Sequence, residues 1–198
     1  MRLLRPIITA SAVIFGVFPL LLGQDLTHSV TLHVDPAHTQ IQWTLGDVLH
    51  TVHGTFQLKG GVVTFNPATG AAEGELIVDL DSGSSGNAAR DRNMKKNVLG
   101  SQTYPEAIYH PEKVVGTLRS GPAQQITVDG TFTIHGKDHP LRLVVSTEMT
   151  AAATLHLTTH FVVPYVQWGL KDPSTFVLRV EKQVPIDVTA DATLEDLH

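Results

Sequence analysis

Apolar residues recur at every second position along most of the chain from Val30 onward. Val30, Leu32 and Val34 share one face, and Ile41, Trp43 and Leu45 resume the pattern after a break at Asp35-Pro36, so both stretches are expected as strands. Val52, Phe56 and Leu58 continue it, with Gly54 marking a bulge or a close approach. Gly60-Gly61 is expected to turn the chain before Val63 and Phe65, and Asn66-Pro67 with Thr69-Gly70 to turn it again. Leu76, Val78 and Leu80 form a further apolar face. In the second half Ile126, Val128, Phe132 and Ile134 oppose Thr127, Asp129, Thr131, Thr133 and His135, and Gly136-Lys137-Asp138 supplies a turn. Leu141, Leu143 and Val145 follow, then Leu155, Leu157, Phe161 and Val163 against His156, Thr158 and His160. Phe176, Leu178 and Val180 predict another strand, and Val184, Ile186, Val188 and Ala190 close the series. Eight or nine one-sided strands joined by hairpin-length turns make an all-β chain, either an antiparallel sandwich or a closed barrel. Periodicity alone does not choose between them.

The alternation is interrupted once, between Asp79 and Pro111. Ser84, Ser85 and Asn87 are good helix N-caps, Arg90, Met94, Lys95 and Lys96 favour helix, and Gly100 stands where a left-handed C-cap is needed. A short helix is therefore expected from Ala88 to Leu99. Met94 and Val98 would share a face beside Leu99, an apolar stripe able to cover a barrel or sheet as a lid.

The 198 residues suit one sizeable domain, and no shift of composition divides them. Residues 1–22 differ in kind, because Arg2 and Arg5 precede an uncharged apolar run from Pro6 to Leu22. That run is short for a membrane span and is followed by Gln24-Asp25, so it predicts an export signal cleaved near residue 23, with an uncleaved anchor as the alternative. The expectation is a periplasmic or secreted domain over residues 24–198, without stable membrane insertion after cleavage. The absence of cysteine excludes disulfides, thiolate metal sites and a cysteine nucleophile. A net charge of −5 and no basic run longer than Lys95-Lys96 argue against a nucleic-acid partner.

Candidate chemistry is sparse. The eleven histidines include the pairs His50 with His53, His135 with His139, and His156 with His160. In extended chain, a spacing of three places side chains on opposite faces, and a spacing of four leaves them about 13 Å apart, so neither makes a ready metal site. Surface histidines and no metal are expected. Gly83-Ser84-Ser85-Gly86 reads as loop rather than nucleophile elbow, and no zinc-protease or phosphate-loop motif occurs, so neither an enzyme nor a cofactor is expected.

Several segments together resemble the YceI-like family, bacterial lipocalin-like proteins associated with binding of polyisoprenoids and other lipids. They are Asp35-Pro36-Ala37-His38-Thr39-Gln40-Ile41-Gln42-Trp43, Gly54-Thr55-Phe56, Asn87-Ala88-Ala89-Arg90-Asp91, Thr103-Tyr104-Pro105-Glu106-Ala107, and Gly130-Thr131-Phe132-Thr133-Ile134-His135-Gly136. The chain departs from the family at Gly46, where many members carry histidine, and at Val98-Leu99-Gly100, where a Phe-Phe pair is usual. The resemblance implies an eight-stranded antiparallel lipocalin-like barrel with a helical insertion near residues 88–99 and an elongated apolar cavity. In such a barrel Trp43, Phe56, Phe132, Ile134 and Phe161 would meet inside as ligand-binding residues. Arg90 would contact a polar ligand head or, together with Asp91, tie the helix to the barrel. The implied function is an exported protein enclosing a long-chain apolar small molecule. The alternative is an exported stress-related or interaction protein whose barrel is filled by its own side chains. Pairing of two barrels as a homodimer is left open by the sequence.

Overall fold

The computed structural model describes residues 29–46, 50–119, 121–150, 154–176 and 179–197. Among them lie nine strands: β1 (Ser29–Val34), β2 (Gln40–Gly46), β3 (Thr51–Phe65), β4 (Ala72–Ser84), β5 (Glu106–Val115), β6 (Gly121–Ile134), β7 (Lys137–Met149), β8 (Thr154–Val163) and β9 (Val184–Leu197). All pairings are antiparallel, and β3 pairs with β4 to close the sheet into a ring. The ring has eight positions, because β1 and β2 share one. Both lie between β3 and β9, β1 at one end and β2 at the other. The break between them falls where the sequence forces it. Pro36 cannot donate to a ladder, and the Asp35 carboxylate caps a 3-10 turn over Pro36–His38 by accepting from the Ala37 N–H at 2.8 Å.

β3 does not turn at Gly60-Gly61. It runs through to Phe65 with a register shift between Leu58 and Gly60. The extra residue switches the parity of the strand: Phe56 and Leu58 face inward before it, and Val63 and Phe65 after it. Gly61 lies close to the end of the Leu76 side chain here, which a Cβ would meet at 2.5 Å. Gly54 is a close approach rather than a bulge. It sits opposite Trp43, and a Cβ would lie 2.2 Å from the indole.

The strand expected at Phe176 to Val180 falls partly outside the described residues, and none of the nine described strands includes Phe176 or Val180. The ring closes through β8 and β9, paired from Val163↔Val184 onward. The described part of the connection from β8 to β9, residues 164–176 and 179–183, is tied by Tyr165, whose hydroxyl donates to the Glu181 carbonyl at 2.8 Å. Phe176 stands fully in solvent, at 101% relative exposure, and Leu178 lies outside the described residues.

The insertion is helical where expected. An α-helix, α1 (Ala88–Asn93), is capped by Asn87, whose side chain accepts from the Ala89 and Arg90 N–H groups. It continues as a π-helical turn over Met94–Leu99 and stops at Gly100, in the left-handed region at φ 62°. The following Tyr104 anchors it to the two-residue turn between β6 and β7. There His135 and Gly136 have φ of 53° and 69°, the Tyr104 ring lies 4.4 Å from the His135 ring, and a Cβ on Gly136 would strike it at 2.7 Å.

Candidate ligand cavity

Inside the ring the one-sided strands leave space. Leu80, Ala107, Phe132, Ile134, Leu143, Leu155 and Ile186 are buried, yet the barrel encloses a cavity of about 550 Å³ lined by nearly every inward side chain. This is the size of a small-molecule site. The five expected residues, Trp43, Phe56, Phe132, Ile134 and Phe161, all line it. Phe132 meets Phe161 edge to face at 6.4 Å, and Trp43 lies 6.4 Å from Phe56. Polar groups in the wall are mostly consumed by the fold. The Tyr109 hydroxyl is shared between the carbonyls of Val128 at 2.9 Å and Leu141 at 3.2 Å, and burial raises its pKa. Tyr165 is held by Glu181, and its pKa is pushed up to about 12 by burial and the nearby Asp172. Both phenols stay neutral at physiological pH. The Trp43 indole N–H is buried without a hydrogen-bond partner among the described residues.

One end of the barrel carries α1, the π-helical turn and the connection 164–183. Met94, Val98 and Leu99 from the helical segment, and Tyr165, Leu170, Pro173 and Val180 from the connection, line the cavity at this end. Tyr165, Leu170 and Pro173 escaped sequence reasoning because residues 164–173 carry no period. Their signal was the aromatic cluster Tyr165-Val166-Gln167-Trp168. Trp168 packs 5.8 Å from Phe132 and stacks on His139 at 4.3 Å. Among the described residues Arg90 is the single charged side chain in the lining, and with Asn93 it marks this end as the mouth.

A model of the YceI-like domain matches residues 32–192. The chain belongs to the YceI-like family. No curated protein matches it. Among solved structures, a polyisoprenoid-binding domain from Saccharophagus degradans implicated in plant cell wall breakdown shares 15% identity over 82% of this chain and 97% of its own, with a TM-score of 0.62. BcnA of Burkholderia cenocepacia shares 20% over 81% and 99%, with a TM-score of 0.65. A YceI protein of Campylobacter jejuni shares 16% over 72% and 86%, with a TM-score of 0.54. At these identities the likeness is one of fold, an antiparallel YceI-like barrel.

Arg90 and Asp91 of this YceI-like chain share one partner. Both reach back to Ser85. Arg90 Nε donates to Ser85 Oγ at 2.7 Å and Nη2 to the Ser85 carbonyl at 2.9 Å, while Asp91 accepts from the Ser85 N–H at 3.0 Å and from its hydroxyl. Ser85 lies on the loop entering α1, so the pair ties the insertion to the end of β4. Arg90 also faces the cavity, whereas Asp91 does not line it. Gly46, at the departure from the family pattern, leaves room for Glu181: a Cβ would lie 2.8 Å from its carboxyl carbon, and the Glu181 N–H donates to the Gly46 carbonyl. Val98 and Leu99, at the other departure, both line the cavity.

Among the described residues no histidine lines the cavity. His156 and His160 sit on the outer face of β8 and meet Asp191 and Asp187 of β9, each at 2.7 Å. Among the described residues no group of three or more metal-binding side chains comes together.

Proposed function

We propose that this protein is an exported binding protein that encloses one long-chain apolar molecule, a polyisoprenoid or similar lipid, inside the barrel. The observation that carries this reading is the cavity of about 550 Å³ with a wall of aliphatic and aromatic side chains and one charged residue at its mouth. At about 30 Å³ per water-sized group the space holds a chain of about 18 carbons. Burial at about 0.8 kcal/mol per methylene contributes about 14 kcal/mol, against about 4–15 kcal/mol for immobilising the guest. Tight binding then needs almost no polar contact, and selectivity among head groups is low. Trp43, Phe56, Phe132, Ile134 and Phe161 form the apolar grip, Arg90 meets the polar end of the guest, and Asp91 positions the helix. The polyisoprenoid-binding neighbour from Saccharophagus degradans supports the ligand class.

Among the described residues the wall carries no carboxylate or imidazole to act as acid or base on a bound molecule, which favours binding over catalysis. Export rests on Arg2, Arg5 and the apolar run to Leu22, which lie outside the described residues. Intact mass of the protein from its producing cell decides it, since Met1 still attached would mean an anchor. The cavity is tested by extracting purified protein into organic solvent and analysing the extract by mass spectrometry, for the parent and for Ile134→Trp. A lipid in the parent that is absent from a variant of near-parental stability is the expected result. An empty parent, together with destabilisation of about 1–3 kcal/mol by overpacking in the variant, would establish a filled barrel instead.

A further inference from the structure

We propose that the mouth end of the barrel is a docking face for an anionic lipid bilayer, through which the guest enters and leaves. The proposal rests on the apolar-guest reading and adds where the exchange occurs. Three observations at that end converge. First, Phe176 on the 164–183 connection is fully exposed and takes no part in the cavity wall. A large aromatic ring held in water by an otherwise tied connection is a natural wedge for a membrane interface.

Second, charge is unevenly distributed. The described residues at the mouth, 50, 85–105, 135–138, 164–176 and 179–183, carry eight basic and four acidic side chains, whereas the other described residues carry four basic and thirteen acidic. The mouth is a cationic collar on an anionic barrel. Its acids are largely engaged: Asp91 with Ser85, Asp138 with Thr133, and Asp172 with Ser174. Arg92, Lys96, Lys171 and Arg179 are exposed and have no carboxylate partner among the described residues. A collar of this sign is attracted to an anionic bilayer surface, while the acidic barrel wall is repelled, which orients the molecule mouth-down.

Third, the same end holds the cavity's charged and amide lining residues, Arg90 and Asn93, so the collar surrounds the opening. A guest of about 18 carbons that crossed water between bilayer and barrel would expose its whole chain, slowing transfer by about ten orders of magnitude. Seating the mouth on the bilayer removes that step.

The test measures co-sedimentation of the exported protein with vesicles of equal phosphatidylglycerol and phosphatidylcholine, and with phosphatidylcholine alone. The parent should bind the anionic vesicles and lose binding at high salt. Phe176→Ser should weaken binding about tenfold, and Arg92→Glu with Lys96→Glu at least about tenfold at low salt, with melting unchanged. Ile134→Trp should dock like the parent, so failure of docking and failure of guest binding are read separately. Parental binding by both docking variants would overturn the proposal. So would absence of binding by the parent, and the collar would then be assigned to an acidic protein partner.

Discussion

Gly54→Ala tests whether the barrel wall is built as described. The added methyl would sit 2.2 Å from Trp43 Cζ2, 2.3 Å from Cε2 and 2.5 Å from the Ser84 carbonyl oxygen. Ordinary contact distances are about 3.5–4.0 Å, so the indole must retreat by more than an ångström. The Ser84 carbonyl belongs to β4 and cannot rotate aside. Trp43 is only 4% exposed and its far side faces the cavity, so the ring can move only inward. Overpacking of this kind costs about 1–3 kcal/mol. At about 2–4 °C per kcal/mol for a chain of this length, the melting temperature should fall by roughly 2–12 °C. The displaced ring should also lower uptake of an apolar fluorescent probe. Adding Trp43→Leu to Gly54→Ala should recover part of the loss, because one of the two clashes is removed, and the double-mutant cycle should show coupling. A Gly54→Ala protein that melts with the parent and takes up the probe equally would refute the placement of Trp43 against Gly54.

Asp91→Ala should destabilise by about 1–3 kcal/mol, because it leaves the Ser85 N–H and hydroxyl without their acceptor. Arg90→Ala, at an exposed position, should cost under about 1 kcal/mol while weakening binding of an acidic amphiphile such as a fatty acid relative to a neutral chain. Thermal melts and competitive binding separate the two roles. For His139, burial against Trp168 and the nearby Lys137 lower the pKa, with Asp138 opposing. The unfolded chain therefore takes up a proton near pH 6.5 that the fold resists. Stability should be flat above that pH and fall as the pH drops below it, and His139→Phe should flatten this part of the profile. Equal pH slopes in parent and variant would remove the role assigned to the His139–Trp168 stack.

Much of the barrel was legible because each strand is buried on one face. A period of two then states which side chains point inward, and Trp43, Phe132, Ile134 and Phe161 follow without any knowledge of pairing. The helix was legible for the same local reason, since Asn87 and Gly100 supply its start and stop within the segment itself. What failed depended on partners distant in sequence. Gly60-Gly61 carries the same local signal for a turn and for a bulge, and only pairing of Leu58 with Val78 and of Gly60 with Ile77 decides for the bulge. Phe176 and Val180 keep the period of a strand, yet the ring closes through β8 and β9 and neither residue belongs to a described strand.

That last failure is informative about function. The described apolar residues of the connection from β8 to β9 divide between the cavity and solvent. Tyr165, Leu170 and Val180 line the cavity, while Phe176 is left in water. Burying Phe176 would contribute about 1.5–3 kcal/mol, comparable to a sizeable part of the stability of a marginal domain. The fold forgoes that gain at the end where the cavity opens and where the cationic side chains gather. An apolar ring withheld from the core beside the mouth is accounted for by a partner that covers it only part of the time, and a bilayer that donates or accepts the guest is such a partner.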